Sequence, residues 1–379
     1  MKEPIDDIPE PDRREGAPHP RETDRLFGQS AAEQDILQAL RSDRLHHAWL
    51  IAGPEGIGKA TLAWRFARHL IAREDGGSSE TIGFFGGKPE APDSLDLAPD
   101  HPVARRVAAL SEPGLFLLRR PWDLDRKRLR QEITVDAARK LHPFFGLSSS
   151  SGGRRVVIVD AADELNSNAA NALLKLIEEP PANCTLLLVC HRPSAVLPTI
   201  RSRCRLLRCQ PLGQEDLLKS LEAAGATLPE DAKSRQRLWE IAGGSAGFAW
   251  DLLALEGLAL DAEVRAIFKG LPGPDRRATL SLAERLSPAK QAPVRRLFYR
   301  LVFQEIAQLA RAAAGAEPSM PAPRPSIIAH HCAALLWAEA HQELGARMAH
   351  GEAVNLDPQN LILDMVRKID EVATRAAAG

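Results

Sequence analysis

The stretch AWLIAGPEGIGKATLAWRFA, residues 48–67, decides much of what this chain can become. A short apolar run ends in glycine, a Gly-rich turn follows, and apolar residues then recur at helical spacing through Leu62, Phe66, Leu70 and Ile71. A strand that turns through glycines straight into a helix leaves backbone N–H groups pointing outward at the helix start, an arrangement suited to an anion. Gly53, Gly56 and Gly58 permit that backbone path, and Lys59 adds a point charge. The pattern G-x-x-x-x-G-K-[ST] holds as far as Lys59 and then departs: Ala60 stands where a hydroxyl would reach magnesium, and Thr61 comes one place late. Gly53, Gly56, Gly58, Lys59 and Thr61 therefore form a degenerate ATP site of phosphate-loop geometry, at which weak ATP binding stays open and none is required.

A second motif bears on the same chemistry. The apolar run VVIVD ends in Asp160, and Ala161 follows where a water-orienting glutamate would stand. Asp160 can assist a metal through water, but Asp163 and Glu164 fall in the turn before the next helix. Phosphoryl transfer depends on positioning and charge stabilisation, so losing a metal ligand and a water-orienting carboxylate together suppresses it.

Buried strands are also read in RRVVIVD, CTLLLVCH and CRLLRCQP, with a helix over NSNAANALLKLIEEPP that starts at Asn166 and stops at Pro180-Pro181. Strands alternating with helices predict a parallel sheet covered on both faces. After Pro211 the strand signals end and short helices with glycine stops follow. Long helices occupy the remainder, the last opening with Asp357 as cap and Pro358 as first residue. The expected plan is a disordered, charged and Pro-rich tail over 1–22, an α/β domain over 23–211 with a loop-like insertion at 73–100, a helical lid over 212–257 and an all-helical domain over 258–379.

Composition narrows the function classes. At 44% hydrophobic, 26% charged and a net charge of −1, the chain is a globular protein without the basic balance of a general nucleic-acid binder. No apolar run is long enough for a membrane span and the N-terminus has no apolar core, so a cytoplasmic location is expected. None of the five cysteines forms a C-x-x-C pair, and His46-His47 and His330-His331 lack ligand spacing, so no metal site is expected.

Three segments, DRLHHAWLIAGPEGIGKATLAWRFA, NSNAANALLKLIEEPP and LPTIRSRC, in this order between residues 43 and 204, resemble the clamp-loader ATPases of bacterial replication, within the AAA+ class. The likeness covers residues of about 20 to 260; the remainder matches in being helical. It implies an AAA+ P-loop domain, a lid and a C-terminal collar through which five subunits form a ring. It also implies that Arg203 of the triplet Ser202, Arg203 and Cys204 is an arginine finger, delivered in trans to ATP on a neighbouring subunit, where a guanidinium matches phosphate oxygens. In the lid, GGSAGFAWDLL places Gly247 where the hydrolysing type carries arginine. An intact SRC triplet beside degraded ATP chemistry resembles the delta-prime type.

That resemblance implies tau/gamma and delta subunits as partners in a hetero-pentamer, the sliding clamp indirectly, and the primer–template DNA backbone through helix starts capped by Thr134 and Asn166. Polymerase activity would belong only to the DNA polymerase III holoenzyme. Some delta-prime relatives carry a four-cysteine zinc module after the first helix; residues 73–130 contain no cysteine, so no zinc is expected here. The basic stretch RRPWDLDRKRLRQEI, interrupted by Asp123, Asp125 and Glu132, reads as a solvated helix or hairpin face. Two other readings compete: an autonomous AAA+ ATPase of the tau/gamma or helicase-loader type, and a nucleotide-independent scaffold with a structural Arg203.

Overall fold

A computed structural model describes residues 9–42, 45–75, 92–146, 153–316, 327 and 332–378. By its internal contacts the chain divides into two compact units, one of residues 1–229 and 241–250, the other of 230–240 and 251–379. The expected lid span, 212–257, is thus shared between them.

The first unit is built on strands β1 (Ala48–Ala52), β2 (Leu115–Arg119), β5 (Arg155–Asp160), β6 (Cys184–Cys190) and β7 (Arg205–Arg208), with a short antiparallel hairpin of β3 (Trp122–Asp123) and β4 (Arg128–Leu129). The five form an all-parallel sheet in the order β2-β5-β6-β1-β7. The α/β class and parallel sheet are as the alternating pattern predicts. Its helices are α1 (Ser30–Arg41), α2 (Lys59–Asp75), α3 (Pro102–Ala108), α4 (Val135–Arg139), α5 (Leu141–Gly146), α6 (Ser167–Glu178), α7 (Pro198–Arg201) and α8 (Gln214–Ala223).

Burial explains the apolar runs. Every residue of β1 and β6 is buried, because helices cover both faces. Alternation along each strand assigns side chains to opposite cores. Trp49 and Ile51 of β1, Val156 and Ile158 of β5 and Leu187 and Val189 of β6 join α1, α2 and α3. Ala48 and Leu50, Val157 and Val159, and Leu186 and Leu188 join α4, α6 and α7 on the other side. The sheet order puts β6 and β7 on either side of β1, so the turn leaving β1 sits at the carboxyl end of the sheet, where chain connections diverge and leave a crevice.

Two expectations are amended and a third is narrowed. Residues 9–22 are not a loose tail. Their charges are paired: Arg21 with Glu10 at 2.7 Å, Arg119 with Glu10 at 3.1 Å, and His19, itself buried, with Asp12 at 3.2 Å. A charge-rich, Pro-rich composition reads as disorder only while the partners are unknown. Residues 1–8 lie outside the described residues, as does most of the expected insertion, 76–91. Thr134 occupies the cap position of α4 in an extended conformation but makes no side-chain cap bond, whereas the Asn166 side chain accepts from the Ala169 amide at 2.9 Å. The basic stretch takes the hairpin form: its turn is held by the Asp123 carboxylate, which accepts from the Asp125 and Arg126 amides, and Arg130 pairs with Asp123 at 3.4 Å.

The second unit is all helical. It takes in most of α9 (Ala232–Ala242), the end of α10 (Ala246–Ala254), and α11 (Gly257–Lys269), α12 (Arg276–Leu286), α13 (Ala292–Ala313), α14 (Ala333–Ala353) and α15 (Pro358–Ala378). Asp275 caps α12 by accepting from the Arg277 and Ala278 amides, and the Asp357 side chain accepts from Asn360 at the start of α15. Leu361, Met365, Ile369 and Val372 form the buried stripe of α15, as its spacing predicts.

Candidate functional site

The turn between β1 and α2 has the backbone path that the glycines predict. Gly56 has φ +77°, and a Cβ there would lie 2.4 Å from Ser245 Oγ; Gly58 has φ +98°. The Ser245 hydroxyl donates to the Glu55 carbonyl at 2.8 Å, and the Gly247 amide donates to the Gly56 carbonyl at 2.9 Å. The start of α10 therefore packs directly on the phosphate loop, and the glycine at 56 makes that approach sterically feasible.

Lys59 is the first residue of α2, and its side chain is buried. Its ammonium curls back to donate to the Pro54 carbonyl. Burial lowers its pKa to about 8, while Cys209, Asp160 and Glu55 act to raise it. Lys59 is therefore a cation at neutral pH that discharges as the pH climbs through about 8. Ala60 and Thr61 line the same cavity as the loop.

Asp160 ends β5 and faces this cavity, 9% exposed. Burial raises its pKa to about 7; Asp12 and Glu164 push in the same direction against Lys59 and Arg119. Neither nearby carboxylate substitutes for the residue missing at 161. Asp163 accepts from the His191 amide at 2.8 Å and pairs with Arg192 at 3.3 Å, so it secures the loop after β6. Glu164 pairs with Arg120 at 2.9 Å.

Magnesium, which a phosphate loop of this class implies, fits these residues poorly. The side chain at 60 offers no oxygen, and among the described residues no three His, Cys, Asp or Glu side chains are grouped to hold a metal. The thiols of Cys184, Cys190 and Cys209 are buried, and burial raises their pKa values to about 12, 12 and 11. They pack as small apolar groups.

An expected result follows for Asp160. The folded protein retains a proton on this carboxyl that the unfolded chain sheds above its ordinary value of 3.8. The native state then binds more protons than the unfolded state, so stability falls as the pH rises from that value through about 7. Asp160→Asn removes the titration. The variant should be more stable than wild type by about 2 kcal/mol or more at slightly alkaline pH, with the difference closing towards acid. Thermal unfolding across that range is the measurement; a difference independent of pH would refute the assignment.

The cavity over the loop measures about 400 Å³ and gathers residues that sequence reasoning passed over. Arg14 pairs with Glu55 of the loop at 2.6 Å, the Trp250 indole donates to the Glu15 carbonyl at 3.0 Å, and Leu26, Phe27 and Leu221 line an apolar portion. Nothing local in the sequence marks Arg14 or Trp250, because their partners are 41 and 235 residues away.

The SRC triplet is elsewhere. Ser202 ends the short helix α7, its hydroxyl donating to the Thr199 carbonyl at 3.1 Å. Cys204 is half-buried against the α6 face of the sheet, and burial raises its thiol pKa to about 12. Arg203, between them, is 43% exposed; it donates to Thr199 O at 3.1 Å and pairs with Glu178 at 3.0 Å. It precedes β7, which runs parallel to β1 with Arg205 level with Trp49 and Arg208 level with Ala52. Arg203 is thus at the amino end of the sheet and the phosphate loop at the carboxyl end, with four strand residues, roughly 13 Å, between those ends. Arg203 does not line the cavity. The structure brings together Gly56, Gly58, Lys59, Thr61 and Asp160, and it sets Ser202, Arg203 and Cys204 apart.

A family model described as DNA polymerase III, delta subunit, matches residues 88–213. The chain is 34% identical over 200 residues to the DNA polymerase III subunit delta' of Pseudomonas aeruginosa, covering 52% of this chain and 53% of that protein. It is 30% identical over 182 residues to the DNA polymerase III subunit gamma/tau of Mycobacterium bovis, covering 47% of this chain and 27% of that protein. Among solved structures, a DNA polymerase III gamma subunit-related protein of Thermotoga maritima aligns over 91% of this chain and 99% of that one, at 17% identity and a TM-score of 0.38. The chain thus spans about half the length of the delta' protein it matches and about a quarter of the gamma/tau protein. Over part of its length the chain is thus similar to DNA polymerase III subunits of the delta' type.

Proposed function

We propose that this chain is a non-hydrolysing, delta-prime-type subunit of a DNA polymerase III clamp loader, supplying Arg203 in trans to ATP held by a neighbouring gamma/tau-type subunit while the sliding clamp is placed on primed DNA. The observation that carries the reading is the position of Arg203. An exposed guanidinium stands at the sheet end opposite its own phosphate loop, which supports a role toward a ligand on another molecule. It pairs with the half-exposed Glu178, and an exposed pair of that kind is weak enough to yield to a phosphate.

The degraded loop supports the same division of labour, with Ala60 and Ala161 at the two positions that hydrolysis needs. Partners are gamma/tau and delta subunits in a hetero-pentamer assembled through the helical unit, with the clamp engaged indirectly. Backbone amides at the starts of α4 and α6 would meet the DNA backbone without reading sequence. A cytoplasmic location belongs to this proposal; among the described residues no helix is long and apolar enough to cross a membrane.

The first test uses the purified chain alone. Steady-state ATP hydrolysis should not rise above background with or without primed DNA, whereas appreciable turnover abolished by Lys59→Ala would overturn the proposal in favour of an autonomous ATPase.

A further inference from the structure

We infer that the groove between α13 and α14 is a binding site for a small organic anion with an apolar body. All the residues that line it come from these two helices, and it encloses about 600 Å³. A volume of that size is typical of small-molecule sites.

Gly345 gives the groove its depth. It stands in the interior of α14, where glycine is less favourable than alanine. Its φ is outside the left-handed region, and a Cβ built there would meet nothing within 4 Å. Neither the backbone nor the packing of neighbours therefore calls for glycine. What the missing side chain leaves is open space, bordered by Ala307, Met348 and Ala349. Phe303, whose ring meets that of His341 edge-on at 5.3 Å, adds an aromatic wall on which a flat apolar body can pack.

Tyr299 supplies a donor that nothing uses. The residue is 6% exposed, it lines the groove, and its hydroxyl has no hydrogen-bond partner among the described residues. Burial pushes its pKa up to about 12, so the group keeps its proton and stays a donor. A buried donor without an acceptor is destabilising, and a ligand oxygen seated against it removes that penalty. Charge sets the sign of the ligand. The lining holds three arginines, Arg296, Arg300 and Arg311, against one carboxylate, Glu352. Arg296 and Arg300 flank Tyr299 within about one helical turn, so guanidinium and hydroxyl donors gather at one end of the groove, where an oxyanion satisfies both kinds. The apolar stretch at Phe303 and Ala307 follows directly along α13 and takes the body.

The test is a fluorescence titration of the full chain with anilinonaphthalene sulfonate, an aromatic body carrying one oxyanion. Phenylnaphthylamine, the same body without the charge, is titrated in parallel. The sulfonate should saturate at one site per chain and bind about tenfold more tightly than the uncharged amine. Tyr299→Phe and Arg296→Ala should each weaken the sulfonate by about fivefold to tenfold and leave the amine unchanged. Gly345→Trp should abolish binding of both by filling the groove, and the smaller Gly345→Leu should weaken both; thermal unfolding confirms that each variant is folded. Equal affinity for the two probes, sulfonate binding that survives Gly345→Trp, or a Tyr299→Phe variant that binds as well as wild type would each overturn the assignment. So would displacement of the sulfonate by gamma/tau-type and delta-type subunits together with loss of assembly in Gly345→Trp, which would make the groove a subunit contact. Position 203 takes no part in these measurements, so either reading can fail without the other.

Discussion

Alanine at position 203 should leave the chain folded and the complex assembled, while hydrolysis at the one ATP site facing that residue falls by about three orders of magnitude. The magnitude follows from what an arginine finger does: it stabilises charge on the transferring phosphoryl group, and removing one costs about 10³ or more in kcat. The effect on folding should be within about 0.5 kcal/mol, because the side chain is 43% exposed and its bonds to Glu178 and Thr199 are surface contacts. The measurement is single-turnover hydrolysis by a complex reconstituted with gamma/tau-type and delta-type subunits, clamp and primed DNA, alongside a sizing column to follow assembly. Sites that this chain does not face continue to turn over, so the total rate falls by the share of one site. Arg203→Lys should recover little, since an ammonium cannot reproduce the two-pronged contact. Unchanged hydrolysis in the alanine variant, with assembly intact, would show that the guanidinium is structural.

The same substitution distinguishes roles within the triplet. Ser202 bonds to the Thr199 carbonyl and Cys204 is packed, so both act on the placement of residue 203. Serine at 204 would put a hydroxyl in an apolar site and should lower stability before it lowers hydrolysis. Position 203 alone should separate the two measurements.

How far the sequence carries can be seen at particular residues. Strands β1, β5 and β6 were legible because buried parallel strands read as unbroken apolar runs between turn residues, whereas β7, with one buried residue of four, was legible only as the short Leu206-Leu207 run. Asn166 and Asp357 were legible because a cap acts on amides two or three residues away. Strand β2 was not: it lies at the sheet edge, four of its five residues are only half-buried, and it follows a long stretch without periodicity. The candidate site was half legible. Ala60 and Ala161 announce what is absent, since each fails a local pattern. What fills the gap left by Gly247 comes from Arg14, more than two hundred residues earlier, and no local pattern reports a pairing over that distance. Glu10 and Asp12 misled for the same reason, because their partner Arg119 is remote in sequence and their own neighbourhood looks like solvent-exposed tail.

In the helical unit, Arg237 is the residue whose loss should do most damage to folding. Its guanidinium donates to both oxygens of Asp261, at 2.9 and 2.6 Å, and lies 3.9 Å from Glu305. The two carboxylates are 6% and 10% exposed, and burial already raises the pKa of Glu305. Arg237→Ala leaves two buried acids facing each other with only the half-exposed Arg265, 4.0 Å from Asp261, as a cation, a change that costs about 3 kcal/mol. Against a total stability of roughly 5–15 kcal/mol, that is enough to open the unit under mild denaturant. The deficit should shrink as the pH is lowered. Without the cation the folded pKa of Glu305 rises further above its unfolded value, so the folded variant takes up a proton and regains stability as the pH falls through it. Replacing all three groups with apolar side chains, as in Arg237→Met with Asp261→Leu and Glu305→Leu, should restore most of the loss, because no buried charge then remains unpaired. Urea unfolding of the full chain at neutral and mildly acid pH reads each of these outcomes, and a deficit under about 1 kcal/mol, or one indifferent to pH, would count against the buried-charge account. The contrast with position 203 is physical: one arginine is held in place by buried charge and secures a fold, whereas the other is exposed at a sheet end with a weak partner, as the proposed role requires.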